Sequence, residues 1–107
     1  MSIKIYHNPR CSKSRETLTL LGEHQIQAEV IEYLATPPSI ETLKTLIAQL
    51  GYDSARQLMR TKEDIYKTLN LKDETSEAAL INAMVQNPKL IERPIVVNND
   101  KAAVGRP

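Results

Sequence analysis

Between Ile3 and Leu34 the chain spells a strand, a helix and a second strand, and this order constrains its fold more than any other feature. Ile3, Lys4 and Ile5 read as a short strand that ends at the turn-prone pair Asn8-Pro9. From Ser12 the segment SKSRETLTLLGEH has helical spacing, with Leu18 and Leu21 on one face and Gly22 as the expected stop. The segment AEVIEYL is the next strand, with Val30, Ile31 and Tyr33 supplying β-branched and aromatic side chains. Two strands joined by a helix lie parallel through a right-handed crossover.

Pro37-Pro38-Ser39 then breaks the chain. Ser39 is a natural N-cap, and Ile40, Leu43, Leu46, Ile47 and Leu50 follow at helical spacing until Gly51. From Tyr52 to Asp73 the sequence is polar with scattered anchors (Leu58, Met59, Ile65, Tyr66, Leu69), which predicts short helices. A further helix starts near Thr75, with Glu77 in its first turn and Leu80, Ala83 and Met84 on its inner face, and ends before Pro88. Pro94 to Val97 is a strand, Asn98-Asn99-Asp100 a turn, and Lys101 to Val104 the hairpin partner. The expectation is an α/β chain: a four-stranded mixed sheet with flanking helices, in the thioredoxin-like arrangement. Residues 1–107 form one domain, with a helical insertion at about 39–88. A fold of this type usually closes with one more helix, so a segment beyond Pro107 is expected to be missing.

Composition excludes several function classes. A length of 107 residues fills one core. Fourteen Lys+Arg against thirteen Asp+Glu leave a net charge of +1, which argues against nucleic acid or a membrane surface as partner. Phe and Trp are absent, so a base-stacking surface is not expected either. No window offers the ~20 apolar residues of a membrane span, and the start MSIKIYHNPR is not a signal peptide. The single cysteine, Cys11, precludes an intramolecular disulfide, and two histidines without ligand spacing predict no metal site. A cytoplasmic, reducing location is expected, where a lone thiol is either packing or a reagent.

Cys11 stands between the end of a strand and the first turn of a helix. Unpaired backbone N–H groups and the positive end of the helix dipole favour a thiolate there. Arg10, Lys13 and Arg15 surround it in sequence, with no acid before Glu16. The same amides make a cradle for an oxyanion. A polar, cationic turn after Pro9 argues for reactivity over burial. His7 is either a turn residue held by hydrogen bonds or a group that tunes the thiol, and its position favours neither. Ser14 occupies the place of the resolving cysteine in a C-x-x-C pair: its hydroxyl can donate to a thiolate but cannot form a disulfide, so an external thiol must resolve any adduct. Arg60, Arg93 and Arg106 are candidate anion ligands through bidentate hydrogen bonds, although spacing does not select them over Arg56 or Arg10. Arg93 precedes Pro94, and a cis bond there would aim neighbouring groups at the loop.

Four separated segments carry a resemblance: Tyr6-His7-Asn8-Pro9-Arg10-Cys11-Ser12-Lys13-Ser14-Arg15, then Tyr33-Leu34 before Pro37-Pro38-Ser39, then Leu90 to Val97, and finally Gly105-Arg106-Pro107. In this order they resemble the glutaredoxin-type arsenate reductase family (ArsC) along essentially the whole chain. The resemblance implies Cys11 as nucleophile, Arg60, Arg93 and Arg106 as oxyanion ligands, His7, Ser14 and Arg15 as thiolate-tuning residues, and Pro94 as the cis-proline. It also implies an enzyme with no bound cofactor that reduces arsenate or a similar oxyanion through a covalent arseno-cysteine, with glutathione as co-substrate and glutaredoxin as partner. Residue 10 is Arg where the plasmid-type enzymes carry a small residue, which points to a chromosomal paralogue. Two other readings share the sequence features: a glutathione-dependent thiol reductase or deglutathionylase, and a Spx-type regulator of transcription, whose C-x-x-C switch Ser14 removes.

Overall fold

The computed structural model describes residues 3–105. Strand β1 (Ile3–Tyr6) leads through the Asn8-Pro9 loop into helix α1 (Ser12–Glu23), and β2 (Glu29–Ile31) returns parallel to β1. Strands β3 (Ile95–Asn98) and β4 (Lys101–Val104) complete a four-stranded sheet in the order β2-β1-β3-β4, with both later pairings antiparallel. This mixed sheet with its helical crossover is the thioredoxin-like arrangement read from the sequence.

β1 and β3 hold the two central positions, and they carry the buried residues of the sheet: Ile5 and Tyr6, Ile95 and Val97. Ile5 pairs with Val30 on one side and Val96 on the other, and is fully buried with Ile95. Lys4 stays exposed, on the face opposite Ile5. β2 is shorter than the AEVIEYL segment suggests, since Tyr33 lies in the turn after it, buried there. The hairpin turns at Asn99, whose φ of 60° asparagine tolerates better than most residues.

Gly22 does not stop α1. The helix runs on to Glu23, and Gln25 takes the left-handed conformation (φ 59°) in its place. Gln25 N–H then donates to the Gly22 carbonyl and Ile26 N–H to Leu21, a Schellman closure. Leu18 and Leu21 are half-buried, Leu20 is exposed, and Ser14 is the one fully buried residue among those described in α1.

Contacts within the chain gather into two compact units, one of residues 1–36 with 93–107 and one of Pro37–Glu92. The second unit is helical: α2 (Ile40–Gln49), α3 (Asp64–Thr68) and α4 (Glu77–Gln86), with single 3-10 turns at Ala55–Leu58, Leu71–Asp73 and Pro88–Leu90. Ser39 Oγ accepts from Thr42 N–H at 3.1 Å and Ser76 Oγ from Ala79 N–H at 3.2 Å, capping α2 and α4. Gly51 (φ 74°) ends α2 by the same Schellman pattern, here with the residue that meets least resistance. Leu43, Leu46, Leu58, Leu80, Met84 and Leu90 form its core, while Ile40, placed on the same face by its spacing, stays exposed. The Glu77 carboxylate accepts from Ala55 N–H (2.7 Å) and Ser54 Oγ (2.8 Å), which holds its pKa below the usual carboxylate range and joins the start of α4 to the 3-10 turn at Ala55–Leu58.

Candidate active site

The loop from His7 to Cys11 is fixed by its own polar groups. Asn8 Oδ1 accepts from Arg10 N–H at 3.0 Å, and the Asn8 carbonyl accepts from Cys11 N–H at 3.0 Å. Arg15 reaches back from α1 and donates to the Pro9 carbonyl at 2.9 Å. Cys11 is the N-cap of α1, with extended φ,ψ of −96° and 123°, and its carbonyl accepts the first helical hydrogen bond from Arg15 N–H. Its side chain is only partly covered. The first turn of α1 carries no acid.

Partial burial pushes the Cys11 thiol up, because a thiolate loses hydration there. The backbone N–H groups of Ser14 and Lys13, which point at the sulfur, and the Arg93 guanidinium beside it together outweigh that cost. The net result is a thiol below its ordinary range.

His7 is 5% exposed, and its Nδ1 lies 2.7 Å from Ser14 Oγ. Ser14 Oγ also accepts from Asn8 N–H at 3.0 Å. The Ser14 hydroxyl, available to the thiolate in the sequence reading, is therefore engaged by His7 and Asn8, and it is the Ser14 amide that serves the sulfur. Burial pushes His7 below its ordinary value; Glu32 opposes this and the Arg15 charge adds to it. Buried and hydrogen-bonded, His7 holds the loop to α1.

Arg93 joins the thiol from the segment before β3, and its bond to Pro94 is cis. Arg60 belongs to the helical unit, where its Nη1 lies 2.9 Å from Glu63 and its Nε 4.0 Å from Glu92. Arg106 lies outside the described residues. Arg56, which spacing did not separate from these, donates to the Tyr66 hydroxyl and to the carbonyls of Leu71 and Glu74. Those partners fix it as a clamp between turns of the helical unit. Arg10 is exposed on the loop. Asn8, which the sequence marks only as a turn former, and Thr17, whose hydroxyl lies 3.3 Å from the Gly105 carbonyl, also touch this region. Among the described residues no cluster of three or more His, Cys, Asp or Glu side chains suits a metal ion, and no helix is long and apolar enough to cross a membrane.

Residues 6–107 match the ArsC family. The chain is 64% identical over 106 residues to the uncharacterized protein YfgD of Escherichia coli K12, covering 98% of this chain and 89% of that one. It is 55% identical over 106 residues to an arsenate reductase of Neisseria meningitidis, covering 98% and 91%. A solved structure, the arsenate reductase from Vibrio cholerae, superposes with a TM-score of 0.97 at 58% identity, over 100% of this chain and 92% of that one.

Proposed function

The chain belongs to the ArsC family, and from that premise we propose that it is an arsenate reductase that uses Cys11 as its nucleophile and external thiols as its reductant. The observation that carries this reading is the Cys11 thiol at the N-terminus of α1, served by two backbone amides and the Arg93 guanidinium. A thiolate is a far better nucleophile than a thiol, and the same positive surroundings attract a tetrahedral oxyanion to it.

In the first step the Cys11 sulfur bonds to arsenic and one arsenate oxygen departs as hydroxide, taking up a proton to become water. The amides and arginines neutralise the charge on the remaining oxygens. Glutathione then attacks the arseno-cysteine, and glutaredoxin resolves the mixed species. Over the cycle arsenic(V) takes up two electrons, arsenite leaves, and two external thiols end joined as one disulfide. Ser14, standing where a second cysteine would resolve the adduct, is the reason those thiols must come from outside.

Arg60 and Arg106 complete the proposed set of oxyanion ligands. The Arg60–Glu63 pair is no obstacle to this role. Both side chains remain about a quarter exposed, and a pair of that kind contributes roughly 0.2–1 kcal/mol. A charge-assisted hydrogen bond to a bound oxyanion contributes about 1.5–3 kcal/mol, more than that pair. An arginine beside the sulfur also favours this reading over a disulfide substrate, whose reacting sulfurs carry no charged oxygens to neutralise. The test is NADPH oxidation coupled through glutathione and glutaredoxin: arsenate-dependent turnover is expected, and Cys11→Ser should abolish it. Turnover that survives in Cys11→Ser would remove the thiol from the mechanism.

A further inference from the structure

Two structural elements bring charge to the Cys11 sulfur, and they come from different parts of the chain. Its amide donors, Lys13 and Ser14, sit on α1 and move with Cys11. So do Arg15, clipped to the Pro9 carbonyl, and His7, bonded to Ser14. Among the described residues, Arg93 alone of the groups acting on the sulfur arrives from beyond α1 and its loop, on the segment that enters β3. Its effect depends on the spacing between α1 and that segment, because a guanidinium–thiolate attraction falls with distance.

Gly105, directly after β4, occupies the junction between them. Its N–H donates to the Pro94 carbonyl at 2.8 Å. Its carbonyl lies 3.3 Å from the Thr17 hydroxyl on α1, which is also 3.0 Å from the Lys13 carbonyl. A Cβ at position 105 would meet Thr17 Cγ2 and Oγ1 at 2.9 Å and Pro94 Cγ at 3.0 Å. Real Cβ atoms almost never approach so closely, and the obstacles are a proline ring and a β-branched side chain, both stiff. It is therefore space that selects glycine here.

We propose that Gly105 is a positioning residue for the thiol site: lacking a side chain, it lets the end of β4 rest on Thr17 of α1 and on Pro94 together, and so fixes the gap across which the Arg93 guanidinium reaches Cys11. Thr17 is the second half of the device, since its hydroxyl lets the two backbones approach more closely than a methyl in its place would. The inference goes beyond the proposed reaction, for it concerns ionisation of the sulfur and holds for whatever substrate the thiol attacks.

The experiment follows the pH dependence of Cys11 alkylation by iodoacetamide in the full chain, with folding checked by circular dichroism. Gly105→Ala should raise the apparent pKa of the thiol by about half a unit to one unit, as Arg93 is pushed away. Adding Thr17→Ala, which removes both atoms the new methyl strikes on α1 and leaves the 3.0 Å approach to Pro94 Cγ, should reverse most of the rise relative to Thr17→Ala alone. In an Arg93→Ala background Gly105→Ala should add nothing. A folded Gly105→Ala chain with an unchanged thiol pKa overturns the proposal, and so does a rise that Thr17→Ala leaves undiminished. If Gly105→Ala does not fold, Thr17→Val and Thr17→Ser decide: the valine should raise the thiol pKa and the serine preserve it, and a Thr17→Val chain at the wild-type value overturns the proposal. Cys11 in the unsubstituted chain titrating as an ordinary thiol would instead strike the proposed reaction, which keeps the two failures distinguishable.

Discussion

At the scale of single residues, the site depends on hydrogen bonds that a reader of the sequence assigns to the wrong atom. Ser14 was the natural hydroxyl donor to Cys11 because it sits three residues on, yet its hydroxyl joins His7 and Asn8 while its amide faces the sulfur. Spacing alone does not distinguish a side chain from the backbone it hangs on. Ser14→Ala should therefore cost about 1–3 kcal/mol in urea unfolding, since it removes the partner of a buried imidazole and of a loop amide. The pH profile of Cys11 alkylation should shift little, because the amide remains. His7 gives the pH dependence. Its folded form disfavours the imidazolium, so as pH falls the unfolded chain binds the proton first. Its contribution to stability is complete above the ordinary histidine value of about 6.5 and is lost as pH falls through the lower folded value. Thermal melts from pH 7.5 to 4.5 should show this decline, and His7→Asn should flatten it.

At the scale of elements, strand and helix identities were legible because each rests on local chemistry: period-two Ile3 and Ile5, the Ser39 cap, and Gly51 at a left-handed terminus. The end of α1 was not. Gly22 looked like its stop, but the helix extends to Glu23 and imposes φ 59° on Gln25. Helical continuation and the Leu21–Ile26 hydrogen bond outweigh the cost of a left-handed glutamine. Gln25→Gly should accordingly raise stability by about 0.5–1 kcal/mol, relief of that strain exceeding the added chain entropy. A higher Tm with an unchanged alkylation profile is the expected result. Arg56 shows the complementary limit. Its acceptors lie 10, 15 and 18 residues away, and no periodicity in the sequence points to them.

At the scale of the whole molecule, the order of elements was sufficient to give the mixed sheet, because a parallel crossover followed by a hairpin leaves few other topologies. The helical unit depends on a handful of leucines instead of long regular elements. Leu80, 1% exposed on α4, is one of them, and Leu80→Ala should cost about 2–5 kcal/mol in chemical denaturation, the range for a cavity of this kind. A loss below 1 kcal/mol would mean that the core collapses around the missing side chain. Of the three proposed oxyanion ligands, Arg93 stands beside the sulfur, Arg60 lies in the helical unit, and Arg106 is outside the described residues. What unites these scales is a cysteine whose thiol two backbone amides and the Arg93 guanidinium hold below its ordinary range. The most direct measurement is the rate of Cys11 alkylation across pH 4 to 9, with and without arsenate. A midpoint below that of a free cysteine and slower labelling when arsenate is present are expected. A midpoint at the ordinary thiol value, with labelling indifferent to arsenate, would contradict this reading.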